Sequence, residues 1–397
     1  MQALISLHKR LGKALPSIHG SRLRALMACV EGLLAGRCLW LSELGRHGPG
    51  RAKEKHKIKR VDRLLGNHRL QHERRAIYRW LARLLISGCR HPCIIVDWSD
   101  VDAARTLFIL RAGVSVGGRA LPVYEEVHAR EHHADDVRAF LAHLAQVLPE
   151  GCVPVVVTDA GFRGPWFKAI EARGWYYVGR VRNRDHARFP LDETWFPATT
   201  LYQQATATPR ELGELWLTRS APWSTRAYLY RKRSAGRHRL TVHGTHRRNA
   251  ASEKHARRER EPWLLVSNLP PRRQLAKRVV AIYRDRMTIE EAFRDLKAYR
   301  HGFAFRANLG RRPARVANLL LIAALASLVL WLTGLVGIQR RLDRGLQANT
   351  ERRRRVLSVP FVGKRLLYQR LRLKHHELQR ALHQLQAAIA QRALEST

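Results

Sequence analysis

The sequence predicts an α/β protein, a mixed sheet with helices packed on it, and two observations carry that prediction. From Pro92 onward, strand and helix patterns follow one another in the order strand, strand, strand, helix, strand, helix, strand. This rhythm breaks near residue 183 and resumes at "EPWLLVSNLP", close to residue 262. The segment between these points is therefore predicted to be an insertion in the sheet core.

Each element of this core has its own signal. The apolar run "CIIVDWSD" predicts the first strand, and "RTLFILRAGVSVGGRALPVYEEVHA" predicts two strands that turn at Gly117-Gly118. The helix "DDVRAFLAHLAQVLPEG" begins with acids, and the helix "PWFKAIEARG" has Pro at its start and Gly past its end. The buried strands "CVPVVVTDAGF" and "WYYVGRVR" complete the pattern.

The remaining sequence surrounds this core. Residues 1–88 are predicted to form a helical, basic DNA-binding domain, because the run from Arg51 to Arg75 is dense in Lys and Arg and has helical apolar spacing. The sheet core takes residues 89–182 and 262–345. A β-rich insertion with a basic loop takes residues 183–261. A helical region follows at 346–397, whose last amphipathic helix packs either internally or against a second copy.

The charge of the chain predicts a polyanionic partner. The sequence has 73 Lys and Arg against 32 Asp and Glu, a formal net charge of +41. Such a field destabilises a compact state through self-repulsion unless a polyanion neutralises it. Nucleic acid is the predicted polyanion, and an anionic membrane surface is the alternative. The number of cysteines is five, which is odd, and this indicates a reducing compartment. Cys89 and Cys93 enclose His91 like half of a metal site that no second pair completes, so they are interpreted as structural thiols.

One segment is apolar enough to cross a bilayer. It runs from Asn318 to Gln339, with arginines on both flanks that give no orientation signal. A helix that is apolar all round can equally be the central helix of a large core. A buried helix is the favoured interpretation, and a membrane span is the alternative.

The stretch "YRDRMTIEEAFRDLK", Tyr283 to Lys297, is predicted to be one helix. At about 100° per residue, Tyr283, Arg286, Glu290 and Lys297 share a narrow polar stripe. A second stripe faces the core and contains Ile282, Ile289, Ala292, Phe293 and Leu296. Taken alone, the pattern also suits an ordinary surface helix whose Glu has basic neighbours.

Three acids are predicted to form a metal site. Asp97 is expected to end the first strand and Asp159 the fourth, and these strands are expected to be neighbours. Glu290 can reach the same point from a helix packed on the sheet. Carboxylates that converge without balancing cations repel one another, and Mg²⁺ or Mn²⁺ removes that problem. Two such ions can clamp the attacking and leaving oxygens of an in-line displacement at phosphate.

Four nearby acids are left out of this site. Asp100 should point to the opposite face of the strand from Asp97, and Glu291 is turned away from Glu290 on the helix. Glu125 and Glu126 lie within the third strand, where Arg111 or Arg180 can pair with them.

These motifs resemble those of the DDE transposases of the insertion sequence four family. Tyr283, Arg286, Glu290 and Lys297 match the family's Tyr, Arg, Glu and Lys signature with its fixed gaps. "IIVDWSD" and "VVVTDAGFRGPWF" look like its two Asp motifs, although Ala160 replaces the commoner Arg after the second Asp. The resemblance covers nearly the whole chain and implies an RNase H-like catalytic core interrupted by a β insertion.

The resemblance also implies a function. It implies cut-and-paste transposition with Mg²⁺, which Mn²⁺ would replace, and a hairpin intermediate before strand transfer into target DNA. Tyr283, Arg286 and Lys297 would contact DNA near the scissile bond. Trp263 would stack on a flipped base, with core packing as the alternative. The partners would be transposon terminal inverted repeats, target DNA and a second protomer in a synaptic complex, in the bacterial cytoplasm at the nucleoid and not at a membrane.

Two other classes of function stay open at this stage. A metal-dependent endonuclease or junction resolvase on the same core would use the three acids, but it would not need the Tyr-Arg-Glu-Lys helix or the insertion. A non-catalytic DNA architectural protein would explain the charge and leave the acids without a role.

Overall fold

A computed structural model describes residues 2–182, 185–232, 261–348, 350–351, 353–369 and 371–393. The chain divides into two compact units: Met1–Val153 with Met287–Thr397 form unit 1, and Pro154–Arg286 form unit 2. The predicted basic loop at Gly236 to Arg260 lies outside the described residues. The predicted domain boundaries stay a prediction.

Unit 1 begins with five helices. They are α1 (Gln2–Ala14), α2 (Gly20–Gly36), α3 (Leu41–Arg46), α4 (Glu54–Leu65) and α5 (His68–Ile86). α4 ends at Leu65, directly before Gly66, and the side chain of Asn67 caps α5 by accepting a hydrogen bond from the Leu70 amide at 2.9 Å. α4 buries Val61, Leu64 and Leu65. Its other face is exposed and basic, with Lys55, His56, Lys59, Arg60 and Arg63.

Three antiparallel strands follow in unit 1. They are β1 (Cys93–Asp100), β2 (Phe108–Val116) and β3 (Arg119–His128), in the order β3-β2-β1, followed by α6 (Ala134–Val147). The turn at Gly117-Gly118 is confirmed, with φ of 51° and 79°. Both residues are left-handed, the conformation that a tight hairpin turn requires and that glycine adopts without a steric penalty.

Four α-helices complete the part of unit 1 that the structure describes: α9 (Met287–Lys297), α10 (Pro313–Gln339), α11 (Val359–Tyr368) and α12 (His375–Ala390). α10 is the apolar segment, and 94% of its most apolar window is buried inside the protein. It packs against β3, α2, α11 and α12, which is the environment of a core helix. α12 buries Leu378, Leu382, Leu385 and Ile389 within the same unit, so its apolar face packs internally.

Unit 2 contains the rest of the strands that the structure describes. They are β4 (Val155–Thr158), β5 (Tyr176–Val181), β6 (His186–Arg188), β7 (Phe196–Pro197), β8 (Arg210–Leu217), β9 (Trp223–Tyr230) and β10 (Trp263–Ser267), with helices α7 (Gly164–Glu171) and α8 (Leu275–Arg284). The strand order is β4-β5-β10-β9-β8-β6-β7, with β4 and β5 parallel and the other pairs antiparallel. The strands of the predicted insertion thus extend the sheet of this unit through the β10–β9 pair.

Candidate active site

Asp97 lies within β1 rather than at its end. Ile94, Ile95 and Val96 before it are fully buried, and Asp97 is the first partly buried residue of the strand. The strand continues to Asp100, so the predicted boundary at Asp97 is wrong. The sequence signal was the end of the apolar run. From Asp97 onward one face of the strand is only partly buried, whereas Trp98 stays buried and the backbone stays paired with β2.

Asp97 belongs to a row of three charged residues on adjacent strands. It is opposite Arg111 on β2, which is opposite Glu125 on β3, so the three side chains share one face of the sheet. Arg111 donates from Nε to Glu125 at 2.7 Å, and both are buried. The buried Tyr78 hydroxyl donates to the other Glu125 oxygen at 3.0 Å. The predicted pairing of Glu125 with Arg111 is therefore confirmed.

The helix that carries Glu290 packs on this same face. The guanidinium of Arg111 lies over the ring of Phe293 in α9, 4.4 Å from its centroid. α9 also contacts β1 and β3, and it buries Ile289, Phe293 and Leu296. Asp97 and Glu290 thus stand on elements of unit 1 that are packed together.

The single helix predicted from Tyr283 to Lys297 does not form. α8 ends at Arg284, Asp285 and Arg286 make a turn, and α9 begins at Met287. The amides of Asp285 and Arg286 donate hydrogen bonds to the carbonyls of Ile282 and Tyr283, three residues earlier. This spacing is that of a 3₁₀ turn, which tightens the end of α8. Tyr283 and Arg286 belong to unit 2, so the prediction of one continuous helix is wrong and the shared polar stripe with Glu290 and Lys297 stays a prediction.

Glu290 lies in the first turn of α9 and is exposed. The N-terminal end of a helix favours a negative charge, because the amides of its first turn point toward it. The adjacent Glu291 binds Arg294 at 2.7 Å and lies 3.8 Å from Arg119, so its carboxylate is engaged elsewhere.

Lys297 ties the end of α9 to the end of β1. Its ammonium donates to the Ser99 hydroxyl at 2.8 Å and pairs with Asp100 at 3.2 Å. Burial lowers the pKa of Lys297, and the Asp100 carboxylate opposes that shift. Asp100 thus has a partner on α9 at the strand end, and the expectation that it points to the opposite face of the strand from Asp97 stays a prediction.

Asp159 follows β4 directly, as the sequence predicts. All four residues of β4 are buried, and the Asp159 carboxylate accepts a hydrogen bond from the Gly161 amide at 2.9 Å. That bond shapes the turn that leads into α7. One oxygen of Asp159 thus serves the local backbone, and the residue stands at the carboxyl end of a parallel strand, where α/β sites form.

Tyr283 and Arg286 lie in the electrostatic field of Asp159. Burial raises the pKa of the Tyr283 hydroxyl, Arg286 and Arg180 lower it, and Asp159 raises it further. These four side chains therefore form one charged neighbourhood in unit 2.

The sequence analysis allowed Arg180 as a partner for Glu125 or Glu126. The structure pairs Arg180 with Glu261 at 3.5 Å.

Trp263 opens β10 and is only partly buried. Its ring lies 5.0 Å from that of Tyr283 in an edge-on arrangement and 5.6 Å from that of Tyr230. Arg284 donates to the Tyr230 hydroxyl at 2.6 Å. Trp263 thus packs against two tyrosines while the residue as a whole stays only partly buried.

The site residues are divided between the units. Asp97, Glu290 and Lys297 belong to unit 1, and Asp159, Tyr283, Arg286 and Trp263 to unit 2. Among the residues that the structure describes, no group of three His, Cys, Asp or Glu side chains is arranged to hold a metal ion. The donor chemistry nevertheless suits one, because the three predicted ligands are carboxylates, the hard oxygen donors that Mg²⁺ and Mn²⁺ prefer.

Comparison with known proteins identifies the family. Residues 88–329, well over half of the chain, match the model of the transposase DDE domain. A search of curated proteins gives no significant match. The matched range contains Asp97, Asp159 and Glu290. The chain therefore belongs to the transposase DDE domain family, whose members are divalent-metal-dependent enzymes that act on DNA.

Proposed function

We propose that the protein is a cut-and-paste transposase of the insertion sequence four family, similar to the transposase of the tetracycline-resistance transposon ten. It cleaves transposon ends through a hairpin intermediate and then joins the released 3′ end to target DNA. The observation that carries the proposal is the built link between the Asp97 strand and the Glu290 helix, through Arg111, Phe293 and Lys297, within a family match that includes Asp159.

In this proposal Asp97, Asp159 and Glu290 hold Mg²⁺, which Mn²⁺ can replace. The bound cation would supply charge neutralisation at the scissile phosphate and a nucleophile of lowered pKa. Each step is an in-line attack on a phosphodiester, first by water, then by a 3′-OH on the opposite strand, then by water again, and finally by the 3′-OH on target DNA. The same carboxylates therefore serve all steps.

The family resemblance assigns each of four residues a contact with DNA. Arg286 holds a phosphate near the scissile bond, Tyr283 contacts the backbone of a distorted nucleotide, and Trp263 stacks on a flipped base. Lys297 is assigned to a phosphate as well, in addition to its bonds with Ser99 and Asp100. The exposed basic face of α4 supports the proposal that residues 1–88 bind the terminal repeats.

The proposed assembly is a homodimer that bridges two transposon ends in a synaptic complex at the bacterial nucleoid. The net charge of +41 supports it, because two protomers brought together need a polyanion between them.

The test uses the inverted ends that flank the gene. A labelled end is incubated with the purified protein and Mg²⁺, and the products are resolved on a denaturing gel beside Glu290→Gln. The matched control is Glu291→Gln, which changes the neighbouring carboxylate. Metal-dependent nicks and hairpins are expected for the wild type and the control, and neither product for Glu290→Gln.

The other outcomes favour other functions. Cleavage without hairpins, or with no preference for the end sequence, would instead favour the metal-dependent nuclease or resolvase. Binding without cleavage in every variant would leave only a DNA-binding protein.

A further inference from the structure

Unit 1 encloses a cavity that the DNA chemistry does not use. Its volume is about 330 Å³, and α2, β3, α9, α10 and α11 form its walls. The interior is mainly apolar, with Leu33, Leu121, Leu330, Trp331 and Phe361 among its lining residues. This volume and this lining are typical of small-molecule sites, which combine an apolar body with a few placed polar groups.

Three of the five Lys and Arg side chains that line the cavity are neutralised by acids. Arg111 pairs with Glu125 on β3. Arg119 donates to Asp295 at 2.6 Å, and Arg294 donates to Glu291 at 2.7 Å. Asp295 and Glu291 belong to α9, so these two pairs fix the helix wall and leave no net charge there.

The other two cations, Arg37 and Lys364, have no ion pair within the described part of the chain. The Lys364 ammonium donates to the carbonyl of His301 at 3.3 Å, and the Arg37 guanidinium lies over the ring of Tyr368 at 5.7 Å. Both side chains are half-buried and line the same cavity. One end of the apolar cavity therefore has two partly desolvated cations whose charge no acid among the described residues neutralises.

Burial and mutual repulsion both disfavour the charged form of Lys364 beside Arg37. Burial lowers the pKa of Lys364, the charge of Arg37 lowers it further, and the charge of Asp295 opposes the shift. Arg37 also follows α2 in the left-handed conformation, with φ of 62°, where glycine is usual. A bound anion would relieve the repulsion between the two cations.

We propose that this cavity binds a small amphipathic anion. Its apolar body fills the space between α2, α10 and α11, and its carboxylate, sulfonate or phosphate group accepts hydrogen bonds from Arg37 and Lys364. The proposal stands on the cavity and the two cations alone, and it is independent of the proposed DNA reaction.

The experiment titrates the full-length protein with decanoate, below its micelle concentration, and with decanol as the uncharged probe of the same apolar body. Calorimetry is expected to show decanoate binding at least about tenfold more tightly, because charge-assisted hydrogen bonds add to the same apolar contact. Lys364→Met and Arg37→Met should remove that preference. The matched control Arg365→Met, at an exposed neighbour on α11, should keep it.

A cavity-filling variant separates this site from surface binding. Ala324→Phe places a ring in the cavity, and it should abolish the binding of both probes while circular dichroism shows a folded protein. Equal affinity for decanoate and decanol would overturn the proposal. Unchanged decanoate affinity in Lys364→Met, or no decanoate binding by the folded wild type, would overturn it as well.

Discussion

The two units hold their site residues by different means. In unit 1, ion pairs of buried cations position the site residues: Arg111 binds Glu125 on the next strand, and Lys297 binds Asp100 at the end of β1. In unit 2, the Asp159 carboxylate accepts a backbone hydrogen bond after a buried strand, and the buried Tyr283 packs edge-on against Trp263 with the charge of Arg180 beside its hydroxyl. Charge pairs are sensitive to the loss of one partner, whereas aromatic packing is more tolerant of a shape-conserving change.

This contrast has a chemical meaning under the proposed function. Asp97 and Glu290 stand on two different elements, a strand and a helix, whose relative position must be fixed for both carboxylates to serve one phosphate. Directed ion pairs between β1, β2, β3 and α9 fix it. Trp263 and Tyr283 would contact a base and a backbone that change shape during the reaction, and aromatic stacking tolerates such a change because every base presents a π-face.

The largest expected effect comes from breaking the buried pair in unit 1. Arg111→Met should lower the free energy of unfolding by about 3–5 kcal/mol, because Glu125 then stays buried without its cation. The double variant R111M/E125Q should lose less, since it removes the orphaned charge and keeps an acceptor for the Tyr78 hydroxyl. Urea denaturation of both variants measures the difference. An equal loss in the two would show that shape, and not charge, holds these strands.

A smaller effect is expected at the tie between α9 and β1. Lys297→Met keeps most of the apolar stem and should lower the free energy of unfolding by about 1–3 kcal/mol, because it removes two hydrogen bonds of a buried ammonium. Ser99→Ala and Asp100→Asn serve as controls that remove one partner each, and urea denaturation compares the three. If Lys297→Met weakens DNA binding and leaves stability within about 0.5 kcal/mol, Lys297 is a phosphate contact and not a structural tie.

The strands of the core and one of the acids were predictable from the sequence. Gly117-Gly118 marks the hairpin turn, but counting back from that turn would place Arg111 opposite Tyr124. The irregularity between Ala112 and Gly113 shifts the pairing by one residue to Glu125, so the turn was predictable without coordinates and the Arg111–Glu125 register was not. Asp159 follows four buried residues that only a strand interior explains. In each case a local pattern sets the geometry.

The break between α8 and α9 was not predictable in this way. No Pro or Gly interrupts the run from Tyr283 to Lys297, and its apolar spacing suits one continuous helix. The helix breaks where the core it packs on changes: Ile282 and Tyr283 are buried in unit 2, and Ile289 and Phe293 in unit 1. Tertiary packing overrides the local periodicity there, and a single-helix projection has no signal for it.

The smallest expected effect on stability is in unit 2, at Trp263. Trp263→Leu should lower the free energy of unfolding by about 1 kcal/mol, because the ring is only partly buried and its contacts with Tyr230 and Tyr283 are partly replaced. Its effect on the reaction should be larger and selective: hairpin formation should fall several-fold, while the first nick, which needs no flipped base, stays close to the wild-type rate. A time course on a denaturing gel separates the two products, and Trp263→Phe, which keeps an aromatic face, should recover part of the hairpin yield. Equal loss of nicks and hairpins in Trp263→Leu would assign Trp263 to the packing of β10 alone and remove it from the proposed DNA contacts.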